Sequence, residues 1–175
     1  MSEVNITPFQ VIYDRFLGKI TDDMYLELTE EDTKKDLETM LMNSMGGFQF
    51  PRFPLFNYDK SLLILNDEGV VIGKGAFNSS LKHEEIDILS NLMLIEWFSR
   101  QLASVENTRM KYSGSDFKFT SQANHIDKLI KLKDNYILVN KREQRMYKRR
   151  RVDAYGNVET NWSGLAGGVI DGSRK

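Results

Sequence analysis

The chain is 175 residues long, 41% hydrophobic and 28% charged, with a formal net charge of −1; this composition suits one soluble globular domain and excludes collagen-like, disulfide-framework and wholly disordered chains. No apolar run approaches the roughly 18 residues a membrane span needs, and residues 1–10 carry no basic or apolar leader stretch, so a product that is neither secreted nor inserted is expected. Zero cysteine and only two histidines, His83 and His125, exclude thiolate metal sites and cysteine nucleophiles, and neither an enzyme nor a bound cofactor is expected.

Thr7-Pro8-Phe9-Gln10 reads as a helix start. Thr7 caps, Pro8 suits the first helical position, and Gln10 completes a capping box. Phe9, Ile12, Tyr13, Phe16 and Leu17 then fall at helical spacing, with Gly18 as the stop. After a short segment over 20–28, Thr29-Glu30-Glu31-Asp32 places three carboxylates in the first turn of a second helix, which ends at Gly46-Gly47. Residues 48–58 hold five aromatics and two prolines, so an extended segment packed across the body is predicted. Residues 62–65 and 70–72 flank Asn66-Asp67-Glu68-Gly69, the clear hairpin signal of the chain.

A long helix over about 81–107 is centred on Leu92-Met93-Leu94-Ile95-Glu96-Trp97-Phe98. Apolar on nearly every side, it is predicted to be the central helix of the domain or to lie at a subunit contact. Residues 110–120 read as loop or short strand. Ser121 caps a last helix with Ile126, Leu129, Ile130, Tyr136 and Ile137 on one side, a break near Asp134-Asn135, and a basic run ending at Arg151. Residues 152–175 contain five of the twelve glycines and the isolated apolar residues Tyr155, Trp162, Leu165, Val169 and Ile170. This is the pattern of an arm that orders on a partner. The predicted fold class is mainly α: a helical domain over 1–151 with a long central helix, a small β-hairpin arm inserted around 60–76, and an extended C-terminal tail over 152–175.

Charge is polarised along the chain. Residues 1–60 carry 6 basic and 11 acidic side chains, whereas 109–151 carry 13 basic and 4 acidic. Such asymmetry points to a polyanionic partner or to head-to-tail contact between copies. Lys141, Arg142, Arg145, Lys148 and Arg149 fall at i, i+1, i+4, i+7 and i+8 and share one helix face. That face suits phosphates, a neighbouring acidic subunit, or simply solvent at a helix end. It matches no helix-turn-helix or zinc-finger pattern, so base-specific reading is not expected. The run Gly69 to Gly75 has the wrong glycine spacing for a phosphate loop and reads as a hairpin strand with a flexible exit. Trp162, a large aromatic in a glycine-rich tail, is expected to dock into a neighbour's pocket or fold back on its own domain.

The capped opening over 7–17, the run Ile20-Thr21-Asp22-Asp23-Met24-Tyr25-Leu26-Glu27-Leu28-Thr29 leading into an acidic helix, and Phe50-Pro51-Arg52-Phe53 carry a resemblance, completed by the long central helix, the basic last helix and the tail. The chain resembles the head-to-tail connector, or neck adaptor, proteins of tailed bacteriophages. The likeness is one of organisation and covers most of the chain. It implies a virion protein made in the host cytoplasm that assembles as a ring, usually of twelve copies, joining the portal to a tail or stopper protein and extending the DNA channel. Tyr155, Trp162, Leu165, Val169 and Ile170 would then be the portal-binding arm. Leu63, Leu65, Val70 and Ile72 on the hairpin would touch a neighbouring subunit or the next ring, and Lys141, Arg142, Arg145, Lys148 and Arg149 would border DNA or a subunit. The alternative is a non-specific nucleic-acid-binding or packaging accessory protein acting through the basic helix.

Overall fold

The structure is a computed structural model that describes residues 6–20, 25, 28–52, 54–111, 119–152 and 158–160. In chain order its elements are β1 (Thr7–Pro8), α1 (Phe9–Leu17), α2 (Glu30–Met45), β2 (Tyr58–Leu65), β3 (Val71–Phe77), α3 (His83–Lys111), α4 (Phe119–Arg149), β4 (Arg150–Val152) and β5 (Val158–Thr160). The fold is mainly α with a small antiparallel arm, as the periodicity predicts.

The helix boundaries follow local chemistry. Thr29 accepts a hydrogen bond from the Asp32 amide at 3.2 Å and opens α2 with Glu30, Glu31 and Asp32 in its first turn, where the macrodipole favours them. Gly18 and Gly46 close α1 and α2. At α3 the carboxylate of Glu85 reaches back to accept from the Lys82 amide at 2.7 Å, satisfying a donor that the helix itself cannot pair. Ile86, Ile88, Leu89, Met93, Leu94 and Phe98 of α3 are all buried. That helix packs against α1, α2 and α4, so it is the central helix of the body.

Several local expectations give way to tertiary structure. Thr7 does not cap α1. Its hydroxyl donates to the Ser79 carbonyl at 2.8 Å and accepts from the Leu81 amide at 2.7 Å, because these buried backbone groups have no ladder partner and compete successfully for it. Pro8 holds the cap position instead, without a side-chain bond. The predicted break at Asp134-Asn135 is absent, since α4 runs unbroken from Phe119 to Arg149. Both residues are exposed while Lys133, Tyr136, Ile137 and Asn140 turn inward, so nothing in the packing calls for a kink. Ile130, assigned to the apolar side, is 42% exposed at the margin of that face. In the aromatic segment Phe48 and Leu55 are buried, but Phe56 is 77% exposed. Residues 110 and 111 belong to α3, residues 112–118 of the expected loop lie outside the described residues, and residues 119 and 120 belong to α4, so Ser121 lies inside that helix rather than capping it.

The hairpin is longer than its turn signal suggests. Its sheet has the order β1-β3-β2, with Thr7 opposite Phe77, Leu63 opposite Lys74 and Leu65 opposite Val71. Asn66 organises the turn by accepting from the Glu68 and Val70 amides at 3.0 and 2.8 Å, and Gly69 takes the positive φ of 77°. Gly75, expected to be a flexible exit, is instead a packing position. Its φ is 85°, and a Cβ there would fall 2.5 Å from Cδ2 of Phe9, a ring that packs edge-on against Phe77 at 5.0 Å. The described start of the C-terminal arm folds back as a two-stranded ribbon, with Arg150 opposite Thr160 and Val152 opposite Val158.

Gly75→Ala combines an unfavourable backbone conformation with overlap on a fully buried ring, and is expected to cost about 3 kcal/mol. Gly69→Ala, with nothing within 4 Å of the added carbon, is expected to cost about 1 kcal/mol. Urea midpoints of the two variants, at unchanged m, check the difference.

Candidate functional site

The C-terminal half of α4 divides its circumference between an anchored face and a free one. Asn140, Gln144 and Tyr147 follow one another at i, i+4 and i+7 and so lie on one face; their exposures are 1%, 3% and 2%. Asn140 donates to the Ile88 carbonyl at 3.1 Å. Gln144 donates to the Asn140 side chain at 2.6 Å and to the Gly47 carbonyl at 3.1 Å, and accepts from the Gln49 amide at 2.8 Å. The segment after α2 lacks a helical or strand ladder of its own, so these side chains satisfy its backbone.

Tyr147 completes the anchor. Its hydroxyl donates to Oε1 of the buried Glu85 and accepts from the Arg52 amide at 3.1 Å. Arg52 lies with its guanidinium 4.1 Å over the Tyr147 ring and donates through Nη2 to the Tyr147 and Arg150 carbonyls at 3.1 and 2.8 Å. A cation therefore occupies the C-terminus of α4, where unpaired carbonyls and the macrodipole favour it. Burial, and the bond to Glu85, push the Tyr147 phenol above its ordinary range. Beside this anchor Arg150 pairs with Glu84. Between α3 and α4 lies an open groove of about 420 Å³ whose lining includes Asp87, Val139, Arg142 and Met146. A second polar relay ties the segment after α1 to α3 and α4: Lys19 donates to Ser90 and Asn91 at 2.6 and 2.7 Å, and Asn91 donates to Glu143 at 2.8 Å.

The free face carries the predicted basic set. Lys141, Arg142, Arg145, Lys148 and Arg149 are all exposed, and none forms an ion pair among the described residues. Lys148 lies 4.2 Å over the Phe50 ring. The hairpin residues Leu63, Leu65, Val70 and Ile72 are likewise exposed, at 55, 54, 56 and 52%. The hairpin packs on α1 and the basic helix on α3, so the structure does not bring these two sets together. Tyr155, Trp162, Leu165, Val169 and Ile170 lie outside the described residues. No helix among the described residues is long and apolar enough to cross a membrane, and none of their His, Asp and Glu side chains gather in threes to suit a metal ion.

Sequence reasoning missed the anchor. Asn140, Gln144 and Tyr147 form a polar stripe where an apolar one would be sought, and Arg52 stands between prolines with no periodicity to mark it. Leu138, 66% exposed beside the basic residues, also escaped notice. No family model matches the chain, and no curated protein and no solved structure proves similar to it.

Tyr147→Phe removes a hydroxyl and leaves a buried carboxylate oxygen and the Arg52 amide short of a partner. A loss of about 2 kcal/mol in denaturant unfolding is expected. The folded state holds the Tyr147 proton more tightly than the unfolded chain does. Its contribution is therefore complete below the ordinary tyrosine value of 10.0 and is lost as pH rises through the higher folded value. The parent protein should lose stability above pH 10 more steeply than Tyr147→Phe; the buried Tyr13, also raised by burial and by Glu38, supplies the slope that remains.

Proposed function

We propose that the chain is a structural docking protein of a tailed-phage neck, a ring-forming adaptor that joins the portal to a tail or stopper protein and extends the DNA channel. The observation that carries this reading is a pair of surfaces that no described residue covers on one helical body. One is a hairpin in which Leu63, Leu65, Val70, Val71 and Ile72 are more than half exposed; the other is a helix face with five cations that form no ion pair among the described residues. Exposed aliphatic clusters on a sheet edge are costly to leave open and are normally covered in an assembly. A fixed basic face suits an acidic surface of a neighbouring copy and, where no copy covers it, the border of a channel through which DNA passes, where phosphate contacts need no sequence. The residues Tyr155, Trp162, Leu165, Val169 and Ile170 are the anchors proposed for the portal, by insertion into its pockets. The resemblance in organisation supports the same place, in the virion neck, with assembly in the host cytoplasm.

A second reading, a non-specific nucleic-acid-binding or packaging accessory protein, is favoured by the same basic face taken alone. Light scattering on the chain, alone and mixed with a portal ring, separates the two. The adaptor reading expects many copies bound per portal and loss of that binding on removal of residues 152–175. Alanine at Arg142, Arg145, Lys148 and Arg149 should leave portal binding in place. No portal binding, together with salt-sensitive binding to any duplex DNA, overturns the adaptor reading. The four alanines should then lower the salt slope of DNA binding by about 3 to 4.

A further inference from the structure

The two free surfaces are complementary to each other. At the end of the hairpin Leu63, Leu65, Val70, Val71 and Ile72 are 52 to 56% exposed. The turn between them presents Asp67 and Glu68, both exposed and without an ion pair among the described residues. On α4 the pattern is inverted. Leu138, 66% exposed, is followed on the same face by Arg142, Arg145 and Arg149 at i+4, i+7 and i+11. One patch is apolar with an acidic tip, and the other is basic around an apolar residue.

We propose that the hairpin of one copy docks on the Leu138–Arg149 face of the next copy, with Leu65 and Val71 against Leu138 and with Asp67 and Glu68 against Arg142 and Arg145. A partner of this shape is a second copy of the chain, because both halves of the contact are present in it and neither is engaged among the described residues. Two hairpins packed on each other would set Asp67 and Glu68 against the same carboxylates, which opposes that arrangement. The hairpin rests on α1 and α4 rests on α3, so the two patches lie on different elements and one chain offers both. Such a contact is heterologous and generates a ring when the rotation closes. It deepens the adaptor reading and rests on it for closure of the ring.

The chain has no cysteine, so an engineered pair reports the contact cleanly. Leu65→Cys and Leu138→Cys are oxidised separately and mixed, without any portal. The mixture should yield a disulfide-linked dimer at least about tenfold above either variant alone, and less as salt is raised. The proposal is overturned if Leu65→Cys alone links as readily, which means hairpin on hairpin, or if the mixture stays unlinked as protein concentration is increased. Charge reversal supplies an independent arm. D67K/E68K on the Leu65→Cys chain should lower the yield about tenfold, as should R142E/R145E on the Leu138→Cys chain, and mixing the two reversed chains should restore it. Failure of that restoration also overturns the contact. A chain that cross-links as expected yet never binds a portal refutes the neck reading and keeps the contact. One that binds a portal without cross-linking refutes the contact alone.

Discussion

The insertion of Asn140, Gln144 and Tyr147 between α3 and the segment after α2 is the interaction on which the rest of the molecule depends. It joins residues about ninety-five positions apart in sequence, through Gln49 and Gln144 and through Arg52 and Tyr147. The bonds run largely to backbone groups that no helix or strand could satisfy, so losing one side chain would strand a buried donor or acceptor. Arg52 adds geometry to this anchor, because its planar guanidinium can stack on the ring and still reach two helix-end carbonyls. Once these contacts are made, the rotation of α4 about its axis is settled.

That rotation has a consequence for the surface. With 140, 144 and 147 turned inward, 138, 142, 145 and 149 must turn outward, since the helical repeat separates the two sets by more than a quarter turn. The basic face therefore stands in a fixed direction on a packed body. The hairpin is held in a comparable way. Its base is pinned by the Phe9, Phe77 and Tyr58 rings, with Phe9 lying 5.0 and 6.0 Å from the other two, while its end projects with its aliphatic residues uncovered. Both surfaces are thus positioned by the core, and no described residue covers either.

The polar interior follows one rule throughout. Glu85 serves the start of α3 through one oxygen and Tyr147 through the other, and Lys19 is held by Ser90 and Asn91 where burial disfavours its charge and lowers its pKa. Each buried charge is matched by close hydrogen-bond partners, which offset the cost of removing it from water. Among the described residues the Tyr13 hydroxyl is the buried side-chain group without such a partner. It lies beside an open cleft between α1 and α2.

Much of the architecture was legible in the linear pattern. The acidic first turn of α2, the glycine stops at 18 and 46, the Asn66–Gly69 turn, the central helix and the shared face of the five basic residues all depend on near neighbours, where spacing, helix-end charge and φ preference act directly. The sequence by itself determined which residues could form helices and that one helix face is basic. Only the tertiary structure decided that Thr7 serves Ser79 and Leu81 and that Gly75 is a contact point for Phe9. It alone placed Arg52, Glu85 and Tyr147 in one cluster. Each of these outcomes depends on groups 62 to 98 residues apart, or on a ring brought in from another element. Competition for a buried hydrogen-bond donor, or for space beside a ring, leaves no trace in local periodicity.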